Sequence, residues 1–155
     1  MIEVTREVPV EPARVFSVLA DGWSYPLWVV GAAHMREVDE NWPAVGSRLH
    51  HSVGLWPLLV NDFTEVVDVV QDRRIELRAR ALPTGTARII VELEPVAGGT
   101  RITMKEKASS GPATLIPGVV QWALLTPRNR ESLERLQRVA LNRESPAGRR
   151  EQGLA

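Results

Sequence analysis

Between Ile75 and Ala108 the chain places an apolar or small residue at almost every second position through three consecutive segments. In "IELRARAL", Ile75, Leu77, Ala79 and Ala81 alternate with Glu76, Arg78 and Arg80. Ala87, Ile89, Val91 and Leu93 then alternate with Arg88, Ile90 and Glu92, and Ile102, Met104, Glu106 and Ala108 alternate with Arg101, Thr103, Lys105 and Lys107. A period of two sends successive side chains to opposite faces of a strand. The connectors "PTGT" and "PVAGGT" are short and turn-rich. Parallel neighbours need a crossover of roughly a dozen residues or more, so these segments must be antiparallel neighbours. Such a sheet carries one apolar face, and another part of the chain has to cover it.

The cover is legible at the C-terminal end. Val119, Trp122, Thr126, Asn129, Leu133, Leu136 and Ala140 step by threes and fours, so they share a face of a helix running to about Leu141. Pro127 either kinks this helix or opens a fresh one with Thr126 as cap. At the other end, "IEVTREVPV" alternates as a strand with Ile2, Val4, Arg6 and Val8 on one face. "EPARVFSVLADG" is a short helix opened by Pro12 and stopped by Asp21-Gly22. "SYPLWVVG" is a second, with Ser24 as cap and Gly31 as terminator. Strands follow in "AHMREVDE", "SRLHHSVGLW" and "PLLVNDFTEVVDVV". In the last of these, Asn61 and Asp62 face opposite sides, and a two-sided apolar pattern leaves the inward row unassigned. The expected architecture is α+β: a curved antiparallel sheet of about seven strands around a long C-terminal helix, with two short helices after the first strand. A cavity is expected between sheet and helix. The domain is expected to span residues 1–142, with a polar, disordered tail over 143–155.

Absences narrow the chemistry. The chain has no cysteine, so disulfides and thiolate metal sites are excluded. Nineteen basic residues balance nineteen acidic ones, which weighs against a nucleic-acid or anionic-membrane partner. No run is long and apolar enough to span a bilayer, and the N-terminus does not resemble a signal peptide, so a cytoplasmic protein is expected. There is no GxSxG elbow, Walker loop or dinucleotide fingerprint. No cofactor and no covalent catalysis are expected, and any reaction would proceed by shaping a ligand and moving protons.

The candidate residues follow from the alternation. His50 and His51 are neighbours on a strand, so they point to opposite faces and do not converge on one metal. The apolar row Leu49, His51, Val53, Leu55 places His51 inside. Glu106 lies in the inward row between Met104 and Ala108. A desolvated carboxylate there suits acid–base chemistry, and a structural ion pair is the alternative. Arg6 also sits in an apolar row, facing Glu106, a ligand carbonyl or a sheet edge. Arg78 and Arg80 belong to the solvated face. Asn129 is polar on the helix's inner stripe and needs a partner, unless it serves the first turn of a helix starting at Thr126.

The blocks "VEPARVFSVLADGWSYPLWVVG", "GSRLHHSVGLWPLLVND", "VELEPVAGGTRITMKE" and "RNRESLERL" resemble the START-like superfamily, also called the SRPBCC or helix-grip fold. Within it the chain is most similar to the polyketide cyclase/dehydrase-like group, and the "HHSVGLWPL" block resembles an actinobacterial-type bacterial subgroup. The resemblance covers Ile2 to about Leu141. It implies a ligand-binding cavity without a shared catalytic set. Trp28, His51, Val53, Met104, Glu106, Trp122, Asn129 and Leu133 are the residues expected to line that cavity. Three functions stay open: a carrier of a small hydrophobic, lipid-like or polyketide-like molecule; a polyketide cyclase or dehydratase in which His51 and Glu106 move protons; and a protein-interaction module with a filled core and exposed tryptophans, marked by Trp42. Monomer and homodimer stay open as well.

Overall fold

The computed structural model describes residues 1–53, 60–81 and 83–144, without the side chains of Ala33, Val53 and Ala81. Seven strands form one antiparallel sheet: β1 (Ile2–Val8), β2 (Ala32–Val38), β3 (Arg48–Val53), β4 (Val60–Val70), β5 (Arg74–Ala81), β6 (Gly85–Val96) and β7 (Gly99–Ser110). Their order across the sheet is β1-β7-β6-β5-β4-β3-β2. Chain neighbours pair from β2 to β7, as the short connectors demand, and β1 closes onto β7 with Val4 opposite Met104. Helices α1 (Pro12–Leu19) and α2 (Tyr25–Trp28) carry the chain from β1 to the far edge at β2. A 3₁₀ turn (Pro112–Leu115) leads into α3 (Gly118–Leu141), which packs mainly on β1, α1 and α2.

The alternating rows become the core. Ile75, Leu77, Ile89, Val91, Leu93, Ile102 and Met104 are buried beneath Leu133, Leu136 and Ala140 of α3. Arg6, the polar member of the β1 row, is satisfied by the helix above it: its Nε donates to Gln137 Oε1 at 2.5 Å. On the opposite face Glu76 accepts from both Arg74 and Arg88. The Arg88 hydrogen bond leads in holding its carboxyl below the usual carboxylate range, aided by Arg74 and opposed by burial.

The ambiguous β4 has a simple explanation. A bulge between Val66 and Asp68 shifts the register by one residue. Asp62, Thr64 and Val66 are therefore inward and buried, and after Val67 the apolar parity restarts at Val69. The β6–β7 connection is a two-residue turn between the paired Val96 and Gly99. Gly98 takes the left-handed conformation such a turn needs (φ 83°). Gly99 is required for a different reason: a Cβ there would lie 1.9 Å from the Val8 carbonyl oxygen.

α3 runs unbroken through Pro127, so the fresh helix at Thr126 does not occur. Proline removes one i→i−4 hydrogen bond, and here the exposed ring lies on the side away from the core, where solvent can receive the freed carbonyl. The inner stripe is buried only from Thr126 onward. Val119 and Trp122, expected to face inward, are solvent-exposed; Trp122 is 58% accessible. The first two turns of α3 extend beyond the surface that the rest of the helix packs against, so their inner stripe finds nothing to cover. Beyond α3, Arg143 donates to Asp21 Oδ2 at 2.7 Å, and its own carbonyl accepts from Arg14. Residues 145–155 of the expected tail, and 54–59 of the histidine-bearing block, lie outside the described residues.

Candidate functional site

A pocket of about 190 Å³ opens where β6 and β7 meet the start of α3. Its floor is the continuation of the inward rows. Ala87 and Ala108 face each other across β6 and β7, and Gly85 lies beside them. Small residues at these positions leave the volume that Ile89 and Met104 fill further along the same strands. Ile116, just after the 3₁₀ turn, and Leu124 and Leu125 of the first turns of α3 supply an apolar wall. A larger cleft of about 620 Å³ lies on the other side of the molecule, between α1 and the β2–β3 and β4–β5 connections. Among the described residues no buried acid or base lines it, so the smaller pocket is the better candidate.

One charged pair closes the pocket's inner end. Glu106 is flanked in register by Ile2 and Ile89 and is almost fully buried. Arg128 Nη2 donates to both carboxylate oxygens, at 3.3 and 3.2 Å. The Arg128 side chain is 34% accessible and that of Glu106 5%. Arg128 Nε is buried and has no partner among the described residues. Of the two alternatives open in the sequence, Glu106 takes the paired one.

Behind this pair lies a buried polar chain. His51 Nε2 is 2.9 Å from Thr64 Oγ1, and Thr64 Oγ1 is 3.5 Å from the Tyr25 hydroxyl. The Tyr25 ring stacks on the imidazole at 5.8 Å and meets Trp28 edge-on at 5.4 Å. Burial raises the Tyr25 pKa; the Thr64 hydrogen bond and Arg128 oppose this, while Glu106 reinforces it. Tyr25 is thus within electrostatic range of both members of the ion pair, though it does not line the pocket. Burial pulls the His51 pKa below its usual value, opposed by Asp62, its register partner on β4. Both groups are thus held neutral at pH 7. Asp62 is itself buried and accepts from Arg80 Nε at 2.6 Å.

The expected cavity residues separate into groups. His51 and Glu106 are buried on the inner face, while His50 turns outward to Asp39 at 3.1 Å. Asn129 is fully buried, and among the described residues neither its amide nitrogen nor its oxygen has a partner; the same holds for the Thr126 hydroxyl. Trp28, Met104 and Leu133 belong to the buried apolar core and do not line this pocket. Trp122 points to solvent, and Gln121 and Leu125 line the pocket from that helix instead. The side chain of Val53 lies outside the described residues. Trp42, expected as an exposed interface marker, is half-buried and donates to the Leu19 carbonyl. Sequence reasoning missed Arg128, Tyr25 and Thr64. A carboxylate in an apolar row signals that a cation must arrive from elsewhere, and "TPRNR" holds two candidates, but only the packing selects Arg128.

The family model described as polyketide cyclase / dehydrase and lipid transport matches residues 1–141. The chain belongs to this family. Its resemblance to the START-like superfamily, stated from sequence blocks, is thereby placed on the whole fold. Solved structures of the same helix-grip architecture agree with it. A Rhodobacter sphaeroides protein is 19% identical over 92% of each chain, with a TM-score of 0.70. A Nitrosomonas europaea protein is 16% identical over 92% of this chain and 94% of that one, with a TM-score of 0.69. Ara h 8.0201 is 14% identical over 91% and 97%, with a TM-score of 0.66. At these identities the likeness concerns the fold alone. No functionally curated protein matches the sequence. Among the described residues of this family member, no helix is long and apolar enough to cross a membrane.

Proposed function

We propose that the protein binds a small hydrophobic molecule, lipid-like or polyketide-like, in the pocket between Ala87, Ala108 and the start of α3. The observation that carries this reading is the pocket's chemistry. An apolar wall encloses about 190 Å³ and ends on a single neutralised ion pair, Glu106–Arg128. Such a site favours apolar contact and offers few polar groups to fix orientation, which is the usual make-up of a small-molecule site. Family membership supports the same class of ligand. The test is native mass spectrometry of freshly purified protein, with titration of a hydrophobic fluorescent probe into wild type and Ala108→Trp. Wild type should retain or take up an apolar molecule and the variant should not. Equal behaviour of the two proteins would remove the pocket from consideration.

A second reading, a cyclase- or dehydratase-type enzyme, is favoured by the buried hydrogen-bonded chain Tyr25–Thr64–His51 on the inner face of the sheet. His51 would serve as the base and Tyr25 as the neutral donor, with Glu106 kept from proton transfer by Arg128. Its test is turnover of a polyketide-type substrate, lost in His51→Gln and in Tyr25→Phe.

A further inference from the structure

The first two turns of α3 present an apolar side to water. Val119, Val120, Trp122, Ala123 and Leu124 are all exposed, with Val119 74% and Leu124 63% accessible. Gln121 does not join them. Its Nε2 donates back to the carbonyls of Ala113 and Ile116, at 3.3 and 2.8 Å. These bonds tie the 3₁₀ turn to the helix, so the exposed side is a built part of the fold. A surface helix ordinarily carries charged and polar residues on the side away from the core. Here that side carries none, and Leu115 in the preceding turn is exposed as well. A contiguous apolar surface of this kind marks an interaction site.

The charges around this face say what covers it. The whole chain is neutral, yet residues 107–130 hold Lys107, Arg128 and Arg130 and no acidic residue, and residues 108–127 hold no charge at all. Arg128 is matched by Glu106. Lys107 and Arg130 are exposed, and neither has an ion-pair partner among the described residues. Lys107 shares a groove with Thr114 and Gln121, beside the start of the helix. Arg130 lies seven residues beyond Ala123 on the same side, about 10 Å along the axis. An interfacial helix sinks its apolar face about 5–10 Å into the headgroup and acyl boundary, and tryptophan favours that depth. We propose that the start of α3 docks in the interface of an anionic lipid bilayer, with Val119, Trp122 and Leu124 entering it and Lys107 and Arg130 meeting lipid phosphates. A second copy of the chain fits less well. A twofold contact would gather the cations of both copies around one apolar face, with no carboxylate in residues 107–130 to meet them. The docking stands on the exposed face and goes beyond the pocket reading. Ile116 and Leu124 belong to this face and to the pocket wall alike, so the pocket opens where the bilayer would lie.

The experiment is co-sedimentation of the full chain at low ionic strength with two kinds of vesicle: phosphatidylcholine alone, and equimolar phosphatidylcholine and phosphatidylglycerol. Wild type should sediment with the anionic vesicles and stay in solution with the neutral ones. The double variant Val119→Gln, Trp122→Gln should bind at least about tenfold more weakly, because the apolar area it buries is lost. Lys107→Gln, Arg130→Gln should weaken binding by about 25-fold, at about fivefold for each cation near the surface. All four side chains are exposed, so the variants should melt close to wild type. None of them lines the pocket, so loss of vesicle binding here and loss of probe binding in Ala108→Trp are separate results. Equal sedimentation of wild type with both vesicles would overturn the anionic surface as the partner. Unchanged binding in the Val119, Trp122 variant would overturn the role of the helix face. Folded wild type that sediments with neither vesicle would overturn the proposal. If that protein were a dimer by analytical ultracentrifugation and Trp122→Gln a monomer, the face would belong to a second copy instead.

Discussion

Replacing Arg128 with methionine keeps an unbranched stem against the pocket wall and removes the guanidinium from Glu106. At the observed 3.2 Å, two unit charges attract by about 5 kcal/mol at an effective dielectric of about 20, and by about 1 kcal/mol in water. Breaking a buried pair from one side costs about 3–5 kcal/mol, because the remaining charge stays desolvated. Arg128 is one-third exposed, so solvent already screens part of the interaction and the expected cost falls to about 2–3 kcal/mol. Glu106→Gln should cost less, about 1 kcal/mol, since the amide oxygen still accepts from Arg128. The double variant should cost less than the two single costs added together, because it leaves no buried charge unpaired. The assay is urea unfolding at pH 7 of wild type, both single variants and the double variant, read as a double-mutant cycle. A cost below about 0.5 kcal/mol for Arg128→Met, or strictly additive costs, would show that Glu106 is hydrated without its partner. The pocket's inner end would then be wet, and the argument for a desolvated apolar site would fail.

Three other outcomes are expected. Ala108→Trp should abolish hydrophobic-probe binding with a stability cost under about 1 kcal/mol, below the 1–3 kcal/mol typical of overpacking, since the ring enters existing space; a much lower melting temperature would mean the space is not there. Gly99→Ala should destabilise by more than about 2 kcal/mol, because its Cβ would lie 1.9 Å from the Val8 carbonyl oxygen, and a near-wild-type thermal melt would refute that close approach. Burial lowers the folded-state pKa of His51, so below its usual value of 6.5 the unfolded chain binds the extra proton. This contribution is fully present above about pH 6.5 and is lost as pH falls toward the folded pKa, by up to about 1.4 kcal/mol per pH unit. His51→Gln should flatten the acid limb of a urea-midpoint series measured between about pH 5 and 8; parallel limbs in the two proteins would contradict it.

The sequence by itself determined what depends on local periodicity. Alternation in Ile75–Leu93 and Ile102–Ala108 set the sheet's inner face and turned Glu106 inward, and alternation from Leu49 split His50 from His51. The three-and-four spacing set one helix as the cover and placed Asn129 on its inner side. Periodicity says which way a side chain points relative to its own element. It does not say whether another surface waits there. Trp122 continues the helical stripe faithfully and still ends in solvent, because the surface under α3 begins only near Thr126. Met104 lies in the same inward row as Glu106 and Ala108, yet the first packs in the closed core and the other two line a pocket. Partner choice is equally nonlocal. Glu106 required a cation, but Arg128 became that cation only because α3 crosses β7 at this residue, and Tyr25 joined His51 and Thr64 only because α2 packs beneath α3. Each of these depends on where two elements meet in space, and contacts of that kind are set by the packing of the whole chain, not by the spacing within any one segment.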